Sequence, residues 1–170
     1  MTDLLHWRPF EKSDRPALAC FVCTDPESKT WDGQRKTHPR PWEHSVQSAI
    51  RSHKPRPARG EHMLLGLDGQ GIAAAVAWAR DTDRGRALIQ LIGIATRYRG
   101  RGRSWAKEAI EVAMQVIIDE VRTGDAQHLL VRAHIDHRNA ASKRLFAEAG
   151  FVHEGDHTQD LGIWVYYTEL

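Results

Sequence analysis

The sequence predicts a mixed α/β fold, and three observations predict it. Apolar runs of strand length alternate with segments whose apolar residues recur at every third or fourth position. A loop rich in glycine and arginine, Arg97-Tyr98-Arg99-Gly100-Arg101-Gly102-Arg103-Ser104, joins one such strand to a long periodic helix. A further strand then follows that helix, the order that makes a parallel crossover.

Taken in order, Leu4 to Phe10 alternates as a first strand. Ser13-Asp14-Arg15-Pro16 starts a helix, with Asp14 able to cap free N–H groups and Pro16 tolerated in the first turn, and this helix is expected to run to Val22 or Cys23. Thr24 to Pro41, with its prolines, Gly33 and charges, reads as a long loop. Trp42, Val46, Ala49 and Ile50 mark one face of a second helix, stopped by Pro55 and Pro57. His62 to Asp68 and Gly71 to Arg80 flank Gly69-Gln70 as a hairpin, and Ala87 to Thr96 adds a third strand of the meander. From Trp105 to Val121 the apolar residues recur at helical spacing, and Gly124 ends that helix. His128 to Ile135 reads as a buried strand parallel to the one before the helix. A helix over Asn139 to Ala149, capped by Gly150, and two runs, Phe151 to His157 and Leu161 to Thr168, complete the chain.

The 170 residues fit a single domain over 1–170, long enough to bury roughly two-thirds of the extended surface. With 41% hydrophobic and 27% charged residues the composition is that of a globular protein. No stretch reaches the roughly 18 apolar residues of a membrane span and the start lacks a leader pattern, so a cytoplasmic protein without membrane contact is expected. Cys20 and Cys23 form a lone Cys-x-x-Cys within the first helical pattern, which lacks the second ligand pair that zinc requires. His134-x-x-His137 likewise lacks carboxylate or cysteine company, and no metal is expected. The net charge of +2 hides a basic stretch from Lys29 to Arg59 and an acidic end after Arg144.

The arginine-glycine loop has the layout of an anion site. Its glycines let the backbone expose successive N–H groups, and the helix that follows adds free donors and the positive end of its dipole. Arg101-Gly102-Arg103 stands where a nucleotide-triphosphate loop needs Gly-Lys-Ser/Thr, and Trp105 stands where a dinucleotide fingerprint needs its third glycine. What remains, Arg97-x-x-Gly100-x-Gly102 between strand and helix, resembles the pyrophosphate loop of the GNAT acetyltransferase superfamily. A second stretch, Asn139 through Ser142 and Phe146 to Gly150-Phe151, resembles that superfamily's next helix, in the expected order and separation.

The resemblance implies the GNAT fold, a mixed, mostly antiparallel sheet of six to seven strands flanked by about four helices. It implies acetyl-CoA as cosubstrate and an amine acceptor. The diphosphate would lie on the loop from Arg97 and Arg99 through Gly100, Arg101, Gly102 and Arg103 to Ser104. The pantetheine arm would pair with the splayed strand at Leu91, Ile92, Gly93 and Ile94, and Asn139, Ser142 and Phe146 would complete the cofactor site. Gly93 marks either a bulge or close packing.

Catalysis is less legible. Relatives place a carboxylate where this chain has Gln90, and often a tyrosine where it has Phe146. Candidate bases are Glu61, His62, Asp81, His134 and Asp136, and candidate acids are Ser142, Tyr166 and Tyr167. The acceptor is left open among a small amine, a protein N-terminus or lysine, and an aminoacyl-tRNA, and an acidic, aromatic last hairpin suits an amine cation. Two other readings stand beside the enzyme: a CoA-binding sensor of the same fold that has lost catalysis, and a nucleic-acid-binding basic patch, which lacks interleaved aromatics and a recognised module. A homodimer is expected from the resemblance.

Overall fold

The computed structural model describes residues 5–25, 28–31, 34–37, 40–81, 83–99 and 104–170. Its centre is a seven-stranded sheet built from β1 (His6–Pro9), β4 (Glu61–Asp68), β5 (Gly71–Asp81), β6 (Arg86–Ile94), β7 (His128–Asp136), β8 (Val152–Asp156) and β9 (Leu161–Glu169). The order across the sheet is β1-β4-β5-β6-β7-β9-β8, and every neighbour is antiparallel except β6 and β7. That parallel pair is the one the crossover through α3 (Trp105–Arg122) requires. The helices α1 (Arg15–Ala19), α2 (Pro41–Ser52) and α4 (Ala140–Glu148) complete the layers. None of the helices among the described residues is long and apolar enough to cross a membrane.

Strand alternation sorts the core into two halves. Leu64, Val76, Trp78, Ile89, Val131 and Ile135 pack with the buried stripe of α3 at Ile110, Ala113, Ile117 and Val121. Met63, Leu65, Ala75 and Ala77 point the other way and pack with Leu18 and Phe21 of the α1 region and Ile50 of α2. Alanines on this second face let the helices sit close to the sheet. Gly93 extends the same logic. A Cβ there would lie 2.4 Å from Ile50 Cδ1 and 3.0 Å from Phe21 Cε1, so Gly93 marks close packing.

The bulge lies elsewhere. Ala77 pairs with Leu91 and Trp78 with Ile89, which leaves Gln90 as the extra residue of β6.

Side-chain caps start α3 and α4, whereas Asp14, expected to cap the first helix, makes no cap bond to it and instead accepts from Arg8 and Glu11 N. Ser104 caps α3 by accepting from Lys107 N at 3.3 Å, and Asn139 caps α4 by accepting from Ser142 N at 3.1 Å. At the end of α4, Phe151 N donates to Phe146 O and Gly150 N to Ala147 O, both at 3.0 Å, with Gly150 at φ 87°. This is a Schellman closure, and its apolar contact is the edge-on pair Phe146–Phe151 at 5.0 Å.

Two further expectations are corrected. The first helix stops at Ala19 with Cys20 as its C-cap, short of Val22 or Cys23. Cys23 therefore lies beyond the helix as a buried free thiol, which burial pushes up to about 11, while Cys20 is exposed. The chain stays extended there because α2 takes its backbone: Gln47 Oε1 accepts from Cys23 N and Thr24 N, and Arg51 Nε donates to Phe21 O. Second, the segment from Thr24 to Pro41 is not wholly a loop. It contains an antiparallel ribbon, β2 (Ser28–Trp31) and β3 (Gln34–Thr37).

Gly93→Ala should cost about 1–3 kcal/mol in chemical denaturation, because the added methyl enters the filled contact between β6, Phe21 and Ile50. Unchanged stability would mean that Ile50 can swing aside.

Candidate active site

The site begins where β6 and β7 part. Their parallel pairing runs from Arg86–Leu130 to Ile89–Ala133 and stops, although β6 continues to Ile94 and β7 to Asp136. The bulge at Gln90 falls at this point, and a bulge bends its strand and raises the local twist. Beyond Ile89 the β7-facing edge of β6 has no strand partner among the described residues. Backbone donors and acceptors therefore face a cleft.

The cleft has two halves, of about 470 and 320 Å³, that share Trp42, Val46, Ile92, Asn139, Ser142 and Phe146. Gly93, Ile94, Arg99 and Ser104 line only the first, with Cys23 and Glu43. Gln90, Leu91, His134, Asp136 and Arg138 line only the second.

Most of the cofactor-site residues expected from sequence thus meet at one place. Leu91, Ile92, Gly93 and Ile94 form the open edge; Asn139, Ser142 and the buried ring of Phe146 form the opposite wall. Capping uses the Asn139 carbonyl oxygen, so its NH2 remains the donor it can offer a ligand. Gly100, Arg101, Gly102 and Arg103 lie outside the described residues. Arg97 is placed differently from Arg99 and Ser104. Its guanidinium donates to Asp68 at 3.0 and 3.1 Å and to Ile72 O at 3.1 Å, toward the β4–β5 turn.

The stem that carries the loop is gripped from two sides, by residues that sequence reasoning missed. On one side Asp68, about a tenth exposed, accepts from Arg97 and, at 2.6 Å, from the Tyr98 hydroxyl. Burial pushes the Asp68 carboxyl up, but hydrogen bonds from Tyr98, Gln70 N and Arg97 outweigh this and hold it below the usual value. The Tyr98 ring is buried edge-on against Trp105, the first residue of α3. On the other side Glu43 of α2 accepts from Arg99 Nη2 at 3.0 Å and Thr24 Oγ1 at 2.6 Å, and Arg99 also donates to Cys23 O. Glu43 too lies net below the usual range, its burial outweighed by the Thr24 and Arg99 hydrogen bonds and the Arg99 and Arg40 charges.

Of the catalytic candidates, Ser142, His134 and Asp136 line the second half of the cleft, with Gln90. Desolvation lowers the His134 pKa, and the charges of His157 and Arg132 add to it, the His157 ring stacking on His134 at 4.0 Å. Glu61 lies outside the cleft, at the start of β4, paired with Arg56 at 2.6 Å. His62 stacks on Trp78 and accepts from Arg80 Nε, and Asp81 ends β5 beside Arg84. Tyr166 faces the helix side of β9 against Phe151 at 5.6 Å, and Tyr167 is exposed beside His128.

A family model described as an acetyltransferase (GNAT) domain matches residues 5–152. The chain belongs to the GNAT acetyltransferase family. Among solved structures, this GNAT chain is similar to a spermidine/spermine N-acetyltransferase from Vibrio cholerae, at 18% identity and TM-score 0.60, covering 98% of this chain and 94% of that one. It is also similar to a nourseothricin acetyltransferase, at 14% identity and TM-score 0.60, covering 98% of both chains. At these identities the likeness is one of fold. No curated protein sequence matches the chain.

Asp68→Ala should destabilise this GNAT fold by about 1–3 kcal/mol at neutral pH, because Arg97 and the buried Tyr98 lose their acceptor. Since the folded pKa of Asp68 is depressed, its ionised contribution is complete above about pH 4 and is lost as pH falls through the lower folded value. Denaturation across this range should show the gap between wild type and variant shrinking on acidification. A gap independent of pH would contradict the charged clamp.

Proposed function

We propose that this chain is an N-acetyltransferase that moves an acetyl group from acetyl-CoA to a primary amine. The observation that carries this reading is the open edge of β6 facing Asn139 and Ser142 across the cleft, next to the N-terminus of α3. These residues fit the cofactor. The edge offers backbone hydrogen bonds to an amide-bearing arm, Asn139 offers its NH2, and the first turn of α3 offers N–H groups to a diphosphate. Acetyl-CoA would supply an activated carbonyl and a thiolate leaving group.

The chain's own residues then have three tasks. His134, neutral at pH 7 because its pKa is lowered, takes the proton of the attacking amine. As the amine nitrogen bonds to the carbonyl carbon and the carbon–sulfur bond breaks, the Ser142 hydroxyl, one helical turn before buried Phe146, donates to the departing thiolate. Gln90, the extra residue of β6 and part of the cleft lining, cannot accept a proton as a base does and instead orients the amine or a bridging water. The sensor reading has its own support, since Gln90 and Phe146 stand where relatives carry ionisable groups.

Thiol release from acetyl-CoA across an amine panel separates the two. An enzyme should release thiol with at least one amine, and kcat/KM should fall as acid protonates His134, with that limb below the ordinary imidazole value of about 6.5. His134→Gln should remove the limb and lower kcat about 100-fold with the same amine. Acetyl-CoA binding without thiol release for any amine would select the sensor.

A further inference from the structure

The turn between β7 and α4 carries a charged pair in the lining of the second half of the cleft. Asp136 Oδ1 accepts from Arg138 N and Arg138 Nε, both at 2.9 Å, and Oδ2 accepts from Arg138 Nη2 at 2.7 Å. The same guanidinium carbon lies 5.1 Å from the ring centroid of Trp42, in the first turn of α2. The pair is lopsided: the Asp136 side chain is 10% exposed and that of Arg138 is 58% exposed. The carboxylate is built into the wall, and the cation reaches it from solvent.

The surroundings select positive charge. Asp160 adds a second favourable charge on Arg138, and its carbonyl accepts from His137 N, which keeps the last hairpin beside the turn. Hydrogen bonds from Arg138, outweighing burial, hold the Asp136 carboxyl below its usual range, so it is ionised at working pH. An aromatic face beside a buried carboxylate is the chemistry that recognises ammonium and guanidinium groups.

We propose that Trp42 and Asp136 form a subsite for a second positive charge on the acceptor, and that Arg138 fills this subsite until the acceptor displaces it. This inference rests on the acetyl-transfer reading and narrows its substrate to amines that carry an additional ammonium or guanidinium group. Displacement leaves the turn standing. Arg138 is more than half in solvent, where water competes for its pairing, and the turn survives through the backbone donation of Arg138 N to Oδ1 and of Asn139 N to Asp136 O at 2.9 Å. With Arg138 swung out, Asp136 faces the half of the cleft that holds Gln90 and His134, the side from which an amine would approach.

The test is calorimetric titration, with CoA present, of matched four-carbon amines whose far end is an ammonium, a guanidinium, a methyl or a carboxylate. Wild type should bind the doubly charged amines about tenfold or more tightly than the methyl-ended one. Asp136→Asn, which keeps the turn because its side-chain oxygen still accepts from Arg138 N, should abolish the difference, and Trp42→Leu should reduce it by an independent route. Arg138→Ala should tighten the doubly charged amines severalfold. Equal binding of all ends, no binding of any, or preference for the carboxylate end lost in Arg138→Ala would overturn the proposal, the last by making Arg138 an anion receptor. Thiol release measured alongside keeps the two claims apart. Selective binding without acetylation leaves the subsite and removes the transferase, whereas acetylation without end-group preference does the reverse.

Discussion

The site depends on the end of one parallel strand pairing. β6 and β7 are tied from Arg86–Leu130 to Ile89–Ala133, and there the extra residue Gln90 bends β6 away while its antiparallel bonds to β5 continue on the other edge. Half of a buried strand is thereby left with backbone groups that a sheet would ordinarily consume, which costs stability unless something pairs with them. The same divergence opens the floor of the cleft between α2 and α4. Close packing behind it, with Gly93 against Ile50 and Phe21, keeps the freed edge from collapsing toward the helices.

Around that opening the fold works as a set of clamps. Asp68 reaches from the β4–β5 turn to Arg97 and Tyr98, and Glu43 reaches from α2 to Arg99, so the stem of the glycine loop is held between two rigid elements. Further along α2, Gln47 and Arg51 hold the backbone from Phe21 to Thr24, so a single helix stripe at spacing four orders both the loop stem and the wall beside Cys23. Trp42, one residue before Glu43, meets Arg138 from the opposite wall. The first turn of α2 thus touches both the loop stem and the turn after β7.

What the sequence made legible was local. The strand, glycine loop and α3 are written in a continuous stretch, as are the Asn139 cap, Ser142 and the Gly150-Phe151 closure; among the described residues β6, α3 and the α4 segment form at the expected places, while Arg97 turns to Asp68 and Ile72. The less legible features are set across distance. Asp68 meets Arg97 from 29 residues away and Glu43 meets Arg99 from 56, and neither carboxylate lies in a motif of its own. The bulge is a property of register between β5 and β6, invisible at Gln90 alone, which is why Gly93 offered two readings. The first helix was overextended because Phe21 and Cys23 continue an apolar pattern, while the capture of their backbone by Gln47 and Arg51 was not visible. The ribbon β2–β3 was missed because its lysines, threonines and arginine lack the apolar alternation that marks a strand.

The most direct test of the account is amide hydrogen exchange of the full chain with and without CoA. If the cofactor lies along the open edge, CoA should slow exchange at the β6 amides between residues 90 and 94 and at the first turn of α3, with little change in β4 or β8. Protection confined to other strands, or no protection at any concentration, would contradict the claim that the parting of β6 and β7 makes the site.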